Sequence, residues 1–227
     1  MTKKIDVKHS RFRSTLWYDP NYTVIIGGVG GIGSWLSLFL ARMGYQIHVF
    51  DYDSIDETNM AGQLYPVSAI GDSKAETIQK ICKEFAGNDI FINEKYTEES
   101  PSNPIIFSAF DCIDARRLMF NKWRALKDRE VFIDGRMLIE SGQVFCVTPG
   151  KEDEYEKHLF KKGEVKPQQC SLKATSHSGA IIAGLMVTAF TNYLTNKKVK
   201  ADVRELPFKF DYELPLFNFK EDTCNTI

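Results

Sequence analysis

A glycine-rich run lies between a short apolar segment and the start of a helical pattern. The run covers residues 28–34, with the sequence GVGGIGS, and follows the apolar residues 23–26. Glycines let the backbone turn tightly and approach a phosphate, and a helix N-terminus offers free N–H groups and a positive dipole end. This strand–loop–helix setting is typical of nucleotide binding, so Gly28, Gly30 and Gly33 are candidate phosphate-binding residues.

A carboxylate closes the next predicted strand. Asp51 follows the apolar residues 47–50 and comes 18 residues after Gly33. A carboxylate at this place can accept hydrogen bonds from both ribose hydroxyls. The loop and Asp51 together indicate a nucleotide site, but they do not separate ATP from NAD or FAD. A tight turn without a ligand is the alternative for the loop alone.

Polar residues farther along favour activation of a carboxylate with ATP over hydride transfer. Asn59 and Gln63 lie on the loop after the second predicted strand, and Lys74 begins the next predicted helix. The Lys74 ammonium can reach phosphate oxygens, and Asp114, after the fourth predicted strand, is placed to hold Mg²⁺. Each has an ordinary alternative, since Lys74 could be a solvated helix lysine and Asp114 the N-cap of the following helix.

The elements that position these residues alternate along the chain. Apolar segments and helical patterns follow each other in units of about 30 residues, which predicts βαβ crossovers and a Rossmann-like, mainly parallel sheet with helices on both faces. We expect strands at residues 23–26, 47–50, 90–92, 105–110 and 131–133, and helices at residues 32–43, 115–126 and 178–194. A further helix, capped by Asp72 or Ser73, is expected to bury one face formed by Ile78, Ile81, Cys82 and Phe85.

We expect the remaining segments to belong to the same single domain, over residues 1–227. Residues 151–167 are charged with little apolar periodicity, which predicts a loop. Residues 207–219 alternate between apolar and polar side chains, which predicts a late antiparallel hairpin. We therefore expect a nucleotide-binding core at about 22–194, an N-terminal arm at 1–21 and a C-terminal hairpin-like extension at 200–227.

The composition argues against several classes of protein. The formal net charge is −1 and the basic residues are dispersed, so no nucleic-acid partner is expected. The first ten residues carry no apolar signal segment, and the longest apolar run, residues 179–190, is too short to span a bilayer, so no membrane partner is expected either. The five cysteines include no C-x-x-C pair, which argues against a disulfide framework or structural zinc and favours the cytoplasm.

The motifs, taken in order, resemble those of the ThiF/MoeB/HesA-type family of ubiquitin-activating-enzyme-like adenylyltransferases. The resemblance covers about residues 22–194. The motifs are G-x-G-G-x-G-S at 28–34, D-x-D at Asp51 and Asp53, N-x-x-x-Q at Asn59 and Gln63, G-x-x-K at 71–74, D-C-x-D at 111–114, and R-x-x-x-N at Arg117 and Asn121.

The resemblance implies ATP and Mg²⁺ as cofactors, a homodimer, and a ubiquitin-like or sulfur-carrier protein ending in Gly-Gly as the partner whose C-terminal carboxylate is adenylated. It implies that Gly31 approaches the phosphates, that Lys74 and Asn59 contact them, and that Asp114 binds Mg²⁺. It adds Asp53 to the cofactor-binding residues beside Asp51.

An arginine lent across the dimer is a further implication of the resemblance. Arg13, or Arg11, occupies the N-terminal segment that supplies it, in a different register. The family usually has a second arginine where this chain has Gly62. A cation is therefore missing, which keeps open a non-catalytic binding or dimerisation partner. An NAD-dependent oxidoreductase is the remaining alternative, and it depends on the glycine loop and Asp51 alone.

Cys170 precedes the last predicted helix by a few residues, and related enzymes often have a cysteine there that accepts the activated carrier. Such chemistry needs an exposed thiolate, which a helix N-terminus and nearby cations favour. Lys173 and His177 are close in sequence. An ordinary loop cysteine is the alternative. We expect Cys112 and Cys82 to be buried packing residues.

Overall fold

One sheet dominates the computed structural model, which describes residues 8–138, 140–159, 175–213 and, by backbone alone, 218–222. Within these residues the sheet has eight strands in the order β3-β2-β1-β4-β5-β6-β7-β8. The strands are β1 Thr23–Gly27, β2 Gln46–Phe50, β3 Phe91–Asn93, β4 Ile105–Ser108, β5 Val131–Leu138, β6 Ser141–Val147, β7 Lys209–Glu213 and β8 Asn218–Asp222. Strands β1 to β5 are parallel to one another, and β6 to β8 extend the sheet in antiparallel register.

Five α-helices and two 3₁₀ helices connect the described strands. They are α1 Gly33–Arg42, α2 Lys74–Ala86, α3 Ile113–Arg124, α4 Glu152–Glu156 and α5 Ser176–Val199, with 3₁₀ helices at Glu57–Asn59 and Val67–Ala69. The ends of α2 show why a helix forms there. The Ser73 side chain accepts a hydrogen bond from the Glu76 N–H at the start, and Gly87 takes a left-handed conformation at φ +62° after the end.

The two faces of the sheet carry separate cores. Helices α1, α2 and α5 cover one face, with fully buried side chains such as Leu36, Ile78 and Met186. Helices α3 and α4 cover the other face, where Trp123 and Tyr155 are fully buried. The predicted Rossmann-like sheet with helices on both faces and an antiparallel C-terminal extension is therefore confirmed.

The strand order creates a crevice at the carboxyl edge of the sheet. Strand β1 lies between β2 and β4. The chain leaves β1 toward α1 on one face, and it leaves β4 toward α3 on the other face. In open parallel sheets, ligands bind at such a switch point, outside the carboxyl ends of the two strands.

Three details differ from the sequence prediction. Residues 151–167 were expected to form a loop, but Glu152–Glu156 is a short helix because Tyr155 buries its ring among aromatic side chains of the second core. Strand β5, expected at residues 131–133, continues to Leu138 and pairs with β6 over its whole second half. Phe85 was expected on the buried face of α2, yet it is 56% exposed, in the last turn of the helix, which ends at Ala86.

Helix α5 is the one helix in the described part of the chain that is long and apolar enough to cross a membrane, and half of that apolar stretch is buried in the protein. Its buried residues, among them Ile182, Met186 and Phe190, belong to the first core together with those of α1. The helix is thus placed as a core helix, longer than the predicted residues 178–194.

Two positions on α2 test the assignment of its faces. We expect Ile78→Ala to lower the free energy of unfolding by about 2–5 kcal/mol, because Ile78 is fully buried and the change leaves a cavity. The matched change Phe85→Ala should cost far less, since that ring is mostly exposed. Urea unfolding of both variants checks this, and equal losses would contradict the described orientation of the helix.

Candidate active site

The glycine loop comes into close contact with the end of β4. Gly28 has φ +82°, and a β-carbon there would lie 3.0 Å from the Ala109 carbonyl oxygen. A β-carbon on Gly33 would lie 1.9 Å from the Gly28 carbonyl oxygen. Glycine is therefore needed at both positions for steric reasons. The Ser34 N–H donates to the Gly30 carbonyl oxygen at 3.1 Å, so the loop leads directly into the first turn of α1 at the carboxyl edge.

Asp51 lies beside this loop, at the end of β2, and is half-buried. Its Oδ2 accepts a hydrogen bond from the Val29 N–H at 2.8 Å, and its Oδ1 accepts one from the Asp53 N–H at 2.9 Å. Burial raises the pKa of Asp51, and these two N–H groups oppose that effect. Each carboxylate oxygen keeps a lone pair for a further donor, so the arrangement fits a ribose hydroxyl.

Lys74 and Asp53 form an ion pair next to Asp51. The Lys74 Nζ lies 2.9 Å from the Asp53 Oδ2, and the lysine side chain is only 9% exposed. The alternative of a solvated helix lysine is therefore wrong. The Lys74 ammonium also stabilises the charged form of Asp51, and it thereby opposes the rise in the pKa of Asp51 that burial causes. Since an ammonium has three protons, Lys74 can bind Asp53 and still donate to a phosphate oxygen.

Gln63 and Asn59 reach the site from the loop after β2 in different ways. The Gln63 side-chain nitrogen lies 3.9 Å from where a β-carbon on Gly30 would be, so this side chain lies against the glycine loop. Its buried Oε1 has no hydrogen-bond partner among the residues that the structure describes. The Asn59 Oδ1 accepts a hydrogen bond from the Asp56 N–H at 3.2 Å in a capping box. Asn59 therefore has a local structural role as well.

Asp114 is the second residue of α3, on the opposite side of the crevice from the glycine loop, and it is exposed. The alternative of an Asp114 N-cap is wrong, because Cys112 holds that position. Cys112 is itself exposed, so its prediction as a buried residue is also wrong, whereas Cys82 is buried as expected.

Magnesium fits this arrangement of oxygen donors. The described residues contain no group of three or more His, Cys, Asp or Glu side chains that could hold a metal on their own. Mg²⁺ in nucleotide sites is commonly held by one or two carboxylates together with phosphate oxygens and water. An exposed carboxylate such as Asp114 at the crevice meets that requirement.

The start of α5 packs onto the glycine loop, a contact that the sequence did not predict. A β-carbon on Gly179 would lie 2.3 Å from the Gly31 carbonyl oxygen. The Ser176 N–H donates to the Ala61 carbonyl oxygen at 3.1 Å, next to the buried Gly62. Gly179 within a helical pattern was the only sequence signal for this close approach. Helix α5 therefore borders Gly62, the position at which the resemblance led us to expect an arginine.

The N-terminal arm lies away from its own glycine loop. The Arg13 N–H donates to the His9 carbonyl oxygen at 2.9 Å, and the His9 ring lies against Gly44. Gly44 joins α1 to β2, at the amino edge of the sheet. Arg11 and Arg13 are exposed there, at the edge of the sheet opposite to the glycine loop.

The predicted thiol site is only partly described. Cys170 and Lys173 lie outside the described residues. His177, in the first turn of α5, is exposed, and its Nε2 lies 3.8 Å from the Glu140 Oε1.

Solved structures with the same fold are found at low sequence identity. PaaA superposes with a TM-score of 0.68 at 16% identity, covering 93% of this chain and 67% of that chain. Escherichia coli MccB with MccA-N7isoASN gives a TM-score of 0.70 at 17% identity, covering 98% and 72%. Escherichia coli MccB with ATP gives 0.66 at 18% identity, covering 92% and 66%. At these identities the similarity shows the fold. A search of curated protein sequences gave no match.

A family model decides the classification. The model of the ThiF family matches residues 20–224. This range spans nine-tenths of the chain and includes the glycine loop, Asp51, Lys74 and Asp114. The chain therefore belongs to the ThiF family.

Proposed function

We propose that this protein uses ATP and Mg²⁺ to adenylate a carboxylate of a peptide or protein substrate. The observation that carries the proposal is the switch-point crevice, which brings the glycine loop, the Asp51–Asp53–Lys74 group and Asp114 to one edge of the sheet. Membership of the ThiF family and the fold shared with MccB, solved with ATP, support it.

Each residue would act through a contact that its position allows. The glycine loop and the first turn of α1 would hold the phosphates, and Asp51 would accept hydrogen bonds from the ribose. Lys74 would donate to phosphate oxygens, and Gln63 would contact the nucleotide above Gly30. Asp114 would hold Mg²⁺, which neutralises phosphate charge as the substrate carboxylate approaches.

The proposed reaction is a substitution at the α-phosphorus of ATP. A carboxylate oxygen of the substrate attacks the α-phosphorus of ATP. The bond between the α-phosphorus and the oxygen that bridges the α- and β-phosphates breaks, and that oxygen leaves with pyrophosphate. The products are an acyl-adenylate and pyrophosphate. Orienting the two reactants in line is a large part of such catalysis, and the chain's own task is to hold and shield them.

The substrate is the finer part of the proposal. A ubiquitin-like or sulfur-carrier protein ending in Gly-Gly is the first candidate, with a homodimer in which Arg13 or Arg11 of one copy serves the other. MccB structures that contain MccA support a peptide as the second candidate. Pyrophosphate exchange separates these two candidates. A peptide ending in Gly-Gly should support exchange, and its C-terminal amide should not, if a Gly-Gly carrier is the substrate. Exchange only with the same peptide ending in Asn would favour the peptide candidate.

A non-catalytic partner is the alternative that one observation favours. Gly62 is buried, and its carbonyl oxygen lies 3.5 Å from the Trp35 indole nitrogen, which donates to it. No side chain extends there toward the phosphates. A non-catalytic protein would be insensitive to the loss of the Asp114 carboxylate.

Asp114→Asn tests the metal site without a known substrate. We expect wild-type protein to gain more thermal stability from ATP with Mg²⁺ than from ATP with a chelator, and Asp114→Asn to lose this difference while keeping its unliganded melting temperature. The side chain is exposed, so its change should leave the fold intact. The control is Asp128→Asn, another exposed carboxylate. A Mg²⁺ effect that survives in Asp114→Asn would contradict the assignment.

Two lysines on α2 offer a matched pair. We expect Lys74→Met to weaken ATP binding by about 10- to 100-fold, as for a lost charge-assisted hydrogen bond to phosphate. Lys83→Met removes a lysine of the same helix that pairs with Asp89 at 3.0 Å but is 67% exposed, and it should bind ATP as wild type does. Calorimetric titration with ATP measures both, and similar affinities for the two variants would remove Lys74 from the site.

Cys170→Ser separates adenylation from transfer to a thiol. If Cys170 accepts the activated carboxylate, the variant should keep pyrophosphate exchange and lose any thiol-sensitive covalent adduct with the substrate. The measurement is the intact mass of the protein after incubation with substrate and Mg-ATP, with and without dithiothreitol. An adduct that forms equally on Cys170→Ser would rule out that role.

A further inference from the structure

A buried charged cluster lies on the second face of the sheet, beneath the start of α3. Its centre is Asp134 of β5, which is fully buried. The Arg136 Nε lies 2.8 Å from the Asp134 Oδ2, and the Tyr155 hydroxyl donates to the same oxygen at 2.9 Å. Burial and the adjacent Asp134 both raise the pKa of Tyr155, so this phenol stays protonated and can donate.

Arg116 connects this carboxylate to α3. Its Nη1 donates to the Asp134 Oδ2 at 3.3 Å, and its Nε lies 3.3 Å from the Oδ1 without the alignment of a hydrogen bond. The Arg116 Nη2 donates to the Phe110 carbonyl oxygen, which follows β4. One planar guanidinium therefore joins the first turn of α3 to the middle of β5 and to the segment that follows β4.

The role of Arg116 follows from its position on α3 and not from a gain in stability through its charge. Arg116 comes two residues after Asp114, in the same α-helix and on the buried side of it. Buried ion pairs add little net stability because the charges lose their hydration, but they restrict the geometry of the groups that they join. A guanidinium bound on two sides limits the rotation and translation of the helix start that carries Asp114.

We propose that Arg116, held by Asp134 and the Phe110 carbonyl, is a positioning residue that fixes the start of α3 and thereby the metal-binding carboxylate of Asp114. This inference rests on the proposed use of Mg²⁺ and ATP. Groups that orient a metal ligand commonly change metal affinity by about 10- to 100-fold when they are removed.

The cluster itself supplies a matched control. Arg136 binds the same carboxylate from β5 and donates to the His158 carbonyl oxygen, but it has no bond to α3 among the contacts described for it. Arg124 lies on α3 and forms ion pairs with Asp153 and Glu156 at the far end of the helix. A general loss of stability would affect all three arginine variants, whereas loss of helix positioning is specific to Arg116.

The test measures Mn²⁺ binding to the full chain saturated with a non-hydrolysable ATP analogue. The readout is the decrease in the paramagnetic resonance signal of free Mn²⁺. We expect Arg116→Met to weaken Mn²⁺ binding by about ten-fold, with Arg136→Met and Arg124→Met unchanged. Wild-type affinity in Arg116→Met, or equal weakening in Arg136→Met, would overturn the inference. If Arg116→Met does not fold, Arg116→Lys decides, because a lysine keeps the charge but lacks the planar fork that joins both partners.

Failure of the proposed function gives a different result in the same experiment. Mn²⁺ binding to wild type and to Asp114→Asn is enough to detect that failure. Both proposals fail if wild type saturated with the analogue binds no more Mn²⁺ than the analogue binds without protein. They also fail if Asp114→Asn binds Mn²⁺ with the affinity of wild type, because Asp114 is then not a metal ligand. If these two behave as expected, only the arginine variants decide on the positioning role.

Discussion

The close contact between the glycine loop and the end of β4 is the constraint on which the site depends. A β-carbon on Gly28 would press on the Ala109 carbonyl, and the Ala109 N–H donates to the Gly27 carbonyl oxygen at 2.7 Å. Because β1 and β4 pair in parallel at this point, their following segments leave one edge toward opposite faces. The crevice between α1 and α3 follows from that geometry.

Polar contacts then stiffen the walls of this crevice. The Tyr65 hydroxyl donates to the Val29 carbonyl oxygen at 2.6 Å, which links the glycine loop to the segment before α2. The Ser34 hydroxyl accepts a hydrogen bond from the Leu64 N–H at 3.1 Å. On the other wall, Arg116 holds the start of α3. Preorganised groups of this kind lose little freedom when a charged ligand binds.

The sequence could predict the parts of the fold that depend on local patterns. Glycine spacing and apolar periodicity located β1, α1 and α2, and residue type narrowed the cap of α2 to Asp72 or Ser73, of which Ser73 is the cap. The ion pair between Lys74 and Asp53 and the approach of α5 to Gly31 were not predictable, because they join residues that are distant along the chain. Asp134 was missed because a single carboxylate inside an apolar strand carries no local signal of its partners.

Thermal stability with Mg-ATP, with ATP plus chelator, and with NADH tests the central claim most directly. A ligand at about 100 times its Kd adds roughly 2.7 kcal/mol, which for a domain of this size is a shift of about 5–10 °C. The account predicts a Mg²⁺-dependent shift with ATP and none with NADH. A shift with NADH alone would contradict it and favour hydride transfer, and no shift with either ligand would favour a non-catalytic partner.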